Sequence, residues 1–446
     1  MPGVNGPKRA GALLVLGDAV AVAAAYILAA WLRFLGTPPL PNLQALERAL
    51  PFFILGCIVL AQIYGLYERR PLPWPEEVQA IFMVMILNTV VTMAASFFVR
   101  SFAVPRTVIA IGAIFNLLGL LAYRRLAYVR WRARVGVPSV LYVRAPGSTW
   151  RPNATDGSIF TICASLQLAK AEEAVPAVAE ALARSGARGL LLDEELRGPV
   201  KERLALFALE HGCELFLVPR LLDLVLLHSR PATFGDTLVV DLNAAPDVAR
   251  QRTLKRFTDI SLSLLLMLLT LPVVGLALLL TLIDDGRPVF FRQERMGWHG
   301  ARFEVIKIRT MRRDAEAGTG PVLAAANDPR VTRVGHLLRR LHVDELPQLW
   351  NVLRGDMSLV GPRPERPAIH AEVVQDLPHF DTRLAVLPGL TGLAQVRGHY
   401  DTSPREKIKF DLLYSLRSSA AMDAQILLRT VRTVFGGAPK TPPTAQ

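Results

Sequence analysis

Residues 260–283 read ISLSLLLMLLTLPVVGLALLLTLI, and how this stretch meets a bilayer decides the fold of everything after it. It holds no charged residue, and as a straight helix it would reach roughly 36 Å, enough to cross a membrane. Crossing would carry Arg287, Arg292, Arg295, Arg302, Lys307, Arg309, Arg312, Arg313, Arg330, Arg333, Arg339 and Arg340 to the far side. The preference of basic residues for the cytoplasmic face opposes that topology. Pro272, near the middle, lacks the N–H a helix needs and clashes with the preceding turn. Together these features predict a Pro-bent re-entrant helix over about 260–283, two arms of about 18 Å that enter and leave by one face. Ser263, Thr270 or a neighbouring helix would satisfy the opened backbone. Lys255, Arg256 and Asp259 would then stand at headgroup level, as contacts for an anionic lipid carrier or as snorkelling anchors.

Upstream lie four further apolar segments, about Gly11 to Leu35, Pro51 to Tyr67, Ala80 to Val99 and Val104 to Tyr123, each near the length that spans a bilayer. The first lacks a small-residue cleavage site and more spans follow, so a removed signal peptide is not expected. Lys8 and Arg9 precede the first span, Arg69 and Arg70 follow the second, and Arg124, Arg125, Arg130, Arg132 and Arg134 follow the fourth. Despite Arg48, Arg100 and Arg106 in the other loops, this bias places the N-terminus and everything after about Tyr128 in the cytoplasm. Asp18 and Asn88, inside spans, read as helix-to-helix hydrogen-bonding groups or as groups close to the interface, rather than chemistry.

Composition agrees with a partly lipid-embedded chain: 446 residues, enough for two or three domains, 51% of them hydrophobic. The formal charge of +13 suits nucleic acid, an anionic membrane or a polyanionic substrate. Nucleic acid is not an expected partner, because the basic residues adjoin lipid-seeking sequence and no aromatic stacking platform accompanies them. Cys57, Cys163 and Cys213 are scattered and form no framework, and His336, His342, His370, His379 and His399 show no zinc spacing.

Between about Val135 and Asp241 the pattern changes to short apolar runs, Ser139 to Val143, Gly189 to Leu192 and Cys213 to Val218, separated by Ala- and Leu-rich segments of helical period. That alternation predicts a parallel sheet with helices. After its first strand the chain offers Arg144-Ala145-Pro146-Gly147-Ser148 in place of closely spaced glycines, so a degenerate Rossmann-like domain with a supporting or regulatory task is expected.

Downstream of the re-entrant segment comes Asp344-Glu345-Leu346-Pro347-Gln348-Leu349-Trp350-Asn351-Val352-Leu353, followed by Gly361-Pro362-Arg363-Pro364. Pro347 suits the first position of a short helix, which sets both carboxylates beside a helix N-terminus able to keep them ionised and to receive phosphate. A plain helix cap is the commoner fate of such a residue. Adjacent carboxylates can share Mg²⁺ with substrate phosphates, and a carboxylate can also attack phosphorus. Either role needs cations around the transferred group, and Arg309, Arg312, Arg313, Arg339, Arg340 and Arg363 are the candidates. Arg363 stands apart because Pro362 and Pro364 fix its backbone. Near the C-terminus, Ile408, Leu412, Leu413, Leu416, Ile426, Leu427 and Val431 recur at helical spacing, suited to a membrane surface or to packing on the rest.

Lys255-Arg256-Phe257-Thr258-Asp259, the Pro-interrupted segment, 288–297 (PVFFRQERMG), 307–311 (KIRTM), the Asp344 to Leu353 run, Gly361 to Pro364 and 388–392 (PGLTG) together resemble the bacterial sugar transferases that act on polyprenyl phosphate. The resemblance is specific over about Lys255 to Thr430 and architectural only before it. It implies transfer of a sugar-1-phosphate from a UDP-sugar to undecaprenyl phosphate with release of UMP, the opening membrane step of exopolysaccharide, capsule or O-antigen synthesis. Asp344 matches the nucleophile that carries the phospho-sugar. Glu345 matches its partner, a base or a co-ligand of Mg²⁺, so that Asp344 and Glu345 are the implied metal ligands. Arg363 matches the phosphate-binding arginine and Arg339 a basic residue just before the dyad. His342-Val343, Leu271, Leu393 and Arg397 depart from the family pattern, which leaves the sugar open.

The expected architecture is therefore a four-helix transmembrane bundle over 1–134, a Rossmann-like α/β domain over 135–249 and an α-rich monotopic catalytic domain over 250–446. Such a chain would reside in the bacterial inner membrane with its catalytic domain on the cytoplasmic face, and the spans offer surface for a homodimer. The competing expectation is a membrane-tethered nucleotide-sensing regulator, which leaves Asp344, Glu345 and Arg363 without a task.

Overall fold

Unbroken apolar sequence makes long helices, and the described residues among the first 134 form four of them: α1 (Gly6–Phe34), α2 (Leu40–Ile63), α3 (Trp74–Phe98) and α4 (Arg106–Arg134). The computed structural model describes residues 6–67, 72, 74–98, 104–134, 136–148, 160–168, 173–227, 229–234, 237–242, 248–313, 315, 328–398 and 402–436; Arg69, Arg70, Arg100 and His399 lie outside them. Two compact units divide at Pro219/Arg220.

In the first unit the four helices interlock through small residues and polar pairs, as expected where lipid supplies no hydrophobic drive between helices. Gly112 lets α4 approach the ring of Tyr26 so closely that a Cβ would lie 2.5 Å from it. Arg124 of α4, almost fully buried, pairs with Asp18 of α1 and with Glu77 of α3 and donates to the carbonyl of Leu66. Tyr67 donates to Asp18 at 2.6 Å, and Asn88 donates to the carbonyl of Phe53 at 3.4 Å. Both polar residues singled out inside the spans thus make inter-helix hydrogen bonds.

The remainder of this unit is a parallel sheet of β1 (Ser139–Arg144), β2 (Thr161–Gln167), β3 (Gly189–Leu192) and β4 (Glu214–Leu217) in the order β2-β1-β3-β4. Helices α5 (Ala174–Ser185) and α6 (Gly198–Glu210) follow β2 and β3. Strand β1 sends Leu141 and Val143 into one apolar cluster and Val140 and Tyr142 into another, so this central strand is buried on both of its sides. This order differs from the 3-2-1-4 order of dinucleotide-binding domains, and α5 and α6 both pack on the Leu141 and Val143 face. At the carboxyl ends of β1 and β3, Tyr142 donates to Asp193 at 2.6 Å and the Glu195 N–H to the same carboxylate at 2.9 Å.

The second unit begins with α7 (Leu221–Leu226) and the antiparallel hairpin β5 (Arg230–Phe234) and β6 (Thr237–Asp241). Then comes α8 (Val248–Asp285), 38 residues long, and after it the hairpin β7 (Phe290–Met296) and β8 (Arg302–Ile308), joined through a 3₁₀ turn. Next are α9 (Arg333–Arg340), a 3₁₀ turn Val343–Glu345, α10 (Gln348–Arg354) and β9 (Ser358–Val360). The unit ends with α11 (Pro367–Asp376), a 3₁₀ helix Pro378–Ala385, β10 (Gly389–Thr391), α12 (Leu393–Arg397), α13 (Pro404–Arg417) and α14 (Ala420–Gly436). The core joins Val305, Leu349, Val352, Met357, Leu359, Tyr414 and Ile426. The C-terminal helices supply Tyr414 and Ile426, which places them against this body.

Among the described residues, five helices are long and apolar enough to cross a membrane: Ala12–Phe34, Leu40–Ile63, Trp74–Phe97, Arg106–Ala133 and Arg252–Asp285. The last lies within α8, a single continuous helix that contains Pro272. Thr270 donates to the Leu266 carbonyl four residues back, a bond internal to the helix, and the buried Ser263 hydroxyl has no partner among the described residues. One side of α8 packs on the body, Leu262, Leu266 and Met267 in the main core and Val274, Ala277 and Leu278 against Ile308 and Leu338. The other side exposes Leu264, Leu265, Leu268, Leu269, Leu271, Leu276, Leu279 and Ile283.

Candidate active site

A left-handed residue sets up the site. His342 takes φ 53° and ψ 21°, which turns the chain out of α9 and into the 3₁₀ turn that carries Asp344 and Glu345. Such a conformation is uncommon for a side-chain-bearing residue and is held here by surrounding structure. Leu346 and Pro347 continue with helical dihedrals into α10, where Asn351 is fully buried. Asn351 donates to the Glu304 carbonyl at 2.7 Å and accepts from the Ile306 N–H at 3.2 Å, sewing α10 to the edge of β8. The next residue of that strand, Lys307, is thereby brought under the dyad.

Glu345 is the electrostatic centre. Lys307 Nζ lies 2.7 Å and Arg363 Nη2 2.6 Å from its Oε1. Burial alone would raise the Glu345 carboxyl, but Arg363 and Lys307 hold it well below the usual range. Lys307 itself is lowered, because burial outweighs the return from Glu345. Arg363 is raised by the same carboxylate.

Asp344 behaves in the opposite way. Only 7% exposed, it has no hydrogen-bond donor among the described residues, and burial followed by the Glu345 charge raises its carboxyl above the ordinary value. Lys307, Arg339 and His342 pull the other way. Arg339 is fixed by a 2.8 Å bond from Nε to the hydroxyl of Thr310. Two adjacent carboxylates thus have separate fates: one clamped by cations, the other left open as a more basic carboxylate.

Of the residues expected at the site, Asp344, Glu345, Arg339 and Arg363 come together. Arg309 and Arg313 do not. Arg309 Nη2 donates to the carbonyls of Asp285 and Gly286, both at 2.8 Å, and pairs with the Asp285 carboxylate at 3.0 Å, while Arg313 reaches the Asp285 carbonyl at 3.4 Å. They close the C-terminus of α8, where carbonyls lack helical partners and the macrodipole favours cations. Lys255, Arg256 and Asp259 are likewise engaged within the protein. Lys255 pairs with Asp423 at 2.7 Å, Arg256 caps α10 on the carbonyls of Val352 and Leu353, and Asp259 accepts from the Leu359 N–H at 3.2 Å. Pro272 lies inside α8, well along the helix from these anchors. Lys307 opens the 307–311 (KIRTM) motif but has no site role in the sequence reading, because a lysine in a strand among many arginines carries no mark of its partner.

Among the described residues no group of three or more His, Cys, Asp or Glu side chains could hold a metal. Mg²⁺ needs only one or two carboxylates when substrate phosphates complete its shell, and Asp344 fits that requirement. Glu345 fits it less well, since its Oε1 already faces two cations.

Residues 250–437 match the family model described as bacterial sugar transferase. The UDP-glucose:undecaprenyl-phosphate glucose-1-phosphate transferase of Escherichia coli is 39% identical over 224 residues, 49% of this chain and 48% of that protein. The chain thus spans about half the length of that relative. The protein of the same name from Caulobacter vibrioides is 44% identical over 186 residues, 41% of this chain and 69% of its own. The exopolysaccharide production protein PSS of Rhizobium leguminosarum is 41% identical over 186 residues, 93% of its length. Because so much of these shorter relatives is matched at such identity, over the very unit that assembles Asp344, Glu345, Lys307 and Arg363, this chain belongs to the bacterial sugar transferase family.

Proposed function

We propose that this protein is a phosphoglycosyl transferase that moves a sugar-1-phosphate from a UDP-sugar to undecaprenyl phosphate and releases UMP. The observation that carries this reading is the division of labour in the dyad, with Glu345 held between Lys307 and Arg363 and Asp344 unengaged beside it. In the first step an Asp344 oxygen attacks the sugar-side phosphorus, the bond to the bridging oxygen breaks, and UMP leaves with that oxygen. In the second, an oxygen of the lipid phosphate attacks the same phosphorus and displaces Asp344, giving the polyprenyl-diphosphate sugar. Splitting one displacement into two suits a single interfacial pocket that receives its two substrates in turn.

Lys307, Arg339 and the half-exposed Arg363 would offset charge on the equatorial oxygens as each transfer proceeds. Glu345, depressed well below the usual carboxylate range, is a poor base, and the lipid phosphate needs none, because a phosphate monoester loses its second proton near pH about 6. Its role is to hold Lys307 and Arg363 in place. Asp344 would hold Mg²⁺, which would supply further charge neutralisation during the transfer.

The lipid acceptor calls for a membrane-apposed site. Support comes from α8, which is tied to the body at its start by Lys255 and Asp259 and at its end by Asp284 accepting from the Val334 N–H and by Asp285 with Arg309. A segment whose two ends anchor on one body enters and leaves by one face, with its leucine side in lipid. The cytoplasmic face of the inner membrane follows from the basic residues that flank the spans. The first dedicated step of exopolysaccharide, capsule or O-antigen synthesis is the setting in which such a product is used. A regulatory reading finds no comparable support.

The test is UMP release by the purified chain in detergent with a panel of UDP-sugars, Mg²⁺ and undecaprenyl phosphate. Wild type should release UMP and form a covalent phospho-sugar adduct with labelled donor. Asp344→Asn should do neither; an active variant would remove Asp344 from the chemistry.

A further inference from the structure

The loop that presents Arg363 is pinned at every residue from Gly361 to Glu365. The Gly361 N–H donates to the Thr391 carbonyl and the Gly389 N–H to the Pro362 carbonyl, both at 2.9 Å. Arg383 Nη2 donates to the Arg363 carbonyl at 2.8 Å, Arg295 Nη1 to the Pro364 carbonyl at 2.9 Å, and the Met296 N–H to the Glu365 carbonyl at 2.9 Å. A Cβ at Gly361 would come within 2.3 Å of the Leu387 carbonyl oxygen, so only glycine permits this approach. Pro362 and Pro364 have no N–H of their own, and the loop therefore depends on its carbonyls for fixation.

Two of the five donors are arginine side chains, and one belongs to a buried ion pair. Arg383, 3% exposed, donates through Nε at 3.0 Å to Asp411 of α13, and its Nη2 lies 2.9 Å from the same carboxylate oxygen; Asp411 is 1% exposed. The guanidinium lies over the Phe380 ring with 4.6 Å from its central carbon to the ring centroid. A buried ion pair is a poor source of net stability, since apolar residues of similar volume usually do as well. Its directionality is different. Asp411 fixes the plane of the guanidinium, and that plane aims Nη2 at the one carbonyl whose residue reaches Glu345.

We propose that Arg383, oriented by Asp411, is a positioning residue for the reaction: it acts through the Arg363 carbonyl to set where the Arg363 guanidinium meets the diphosphate of the nucleotide sugar. The path runs from α13 through Asp411, Arg383 and the Arg363 backbone to Glu345 and Lys307. Arg383 touches no reacting atom. This inference rests on the transferase reading and adds to it a residue pair that lies away from the dyad.

Removing one charge alone would strand the other in the core, so the test removes both. The double variant Arg383→Met/Asp411→Leu, in the full chain, should melt within a few degrees of wild type. Its kcat/KM for the UDP-sugar should fall 10- to 100-fold, the order that follows a displacement of about 1 Å in a positioned group. Binding of UDP with Mg²⁺, followed by titration, should weaken several-fold. In an Arg363→Gln background the same pair of changes should cost less than twofold further in either measurement, because the group they position is gone. An equal loss in both backgrounds would reduce the pair to general packing and overturn the proposal, as would an unimpaired double variant. Wild type that neither releases UMP nor binds UDP would instead sink the transferase reading, so the two failures are distinguishable.

Discussion

Replacing Lys307 by methionine tests the site most directly. The apolar stem of the side chain is kept and only the ammonium is lost. Lys307 Nζ and Arg363 Nη2 both face Glu345 Oε1, so a phosphoryl oxygen held beside these cations would feel the Lys307 charge at close range. At an effective dielectric of about 20, a unit charge pair at about 4 Å is worth about 4 kcal/mol. Since about 1.4 kcal/mol is a factor of ten in rate, Lys307→Met should lower kcat by about 10²- to 10³-fold, as loss of one oxyanion donor does elsewhere. KM for the donor should move far less, because the charge matters most as it concentrates on the transferred group. Glu345 keeps Arg363 but loses its other cation, so some stability is lost with the ammonium, and kcat is compared at a temperature where both proteins are folded. The assay is steady-state UMP release beside a thermal melt. A variant that keeps a third or more of wild-type kcat would refute the placement of the phosphoryl group beside Lys307, and one that loses activity only by unfolding would refute the electrostatic argument.

Arg309→Gln should separate structure from chemistry: with its bonds to the α8 terminus removed, stability should drop by about 2–3 kcal/mol while kcat of the folded protein stays within threefold. A kcat loss as large as that of Arg363→Gln would return Arg309 to the phosphate site. The Glu345 pairs predict a pH signature. Its folded-state pKa is depressed below the ordinary 4.5, so the stability it contributes is fully present above about pH 4.5 and is lost as pH falls towards the depressed value. The melting difference between wild type and Glu345→Gln should shrink below that pH, and a difference that grew on acidification would contradict the assignment. Finally, single cysteines at Arg250 and Gly286, in a background lacking native cysteines, should be labelled from the same side of sealed vesicles. Opposite-side labelling would show that α8 crosses.

Much of this could be read from the chain because it depends on neighbours in sequence. Apolar length alone gives the helices of the first 134 residues and α8, since a bilayer tests each segment for itself. Glycine, proline and paired carboxylates mark the dyad turn and the Arg363 loop, because their effects are local to the backbone. The alternation of apolar runs gave a parallel α/β sheet, but not its order: nothing in a strand's own residues says on which side of β1 the third strand pairs. Pro272 lies inside α8, whose helix continues past the ring while the flanking turns, Met267 and Val274 among them, pack on the body.

Charge was the least legible feature. In one dimension Arg309, Arg313, Arg339 and Arg363 are equivalent cations near a dyad. Only the fold sends the first two to the end of α8 and the last two to the carboxylates. Lys307 meets Glu345 across 38 residues, and Arg383 meets Asp411 across 28, because the β7–β8 hairpin, α10 and α13 happen to pack as they do. The sequence by itself determined which chemical groups were present and which segments sought lipid, since those are properties of residues and short runs. The tertiary structure alone decided which cation serves which anion, because Coulomb energy depends on separation in space and on what burial has removed from around the pair.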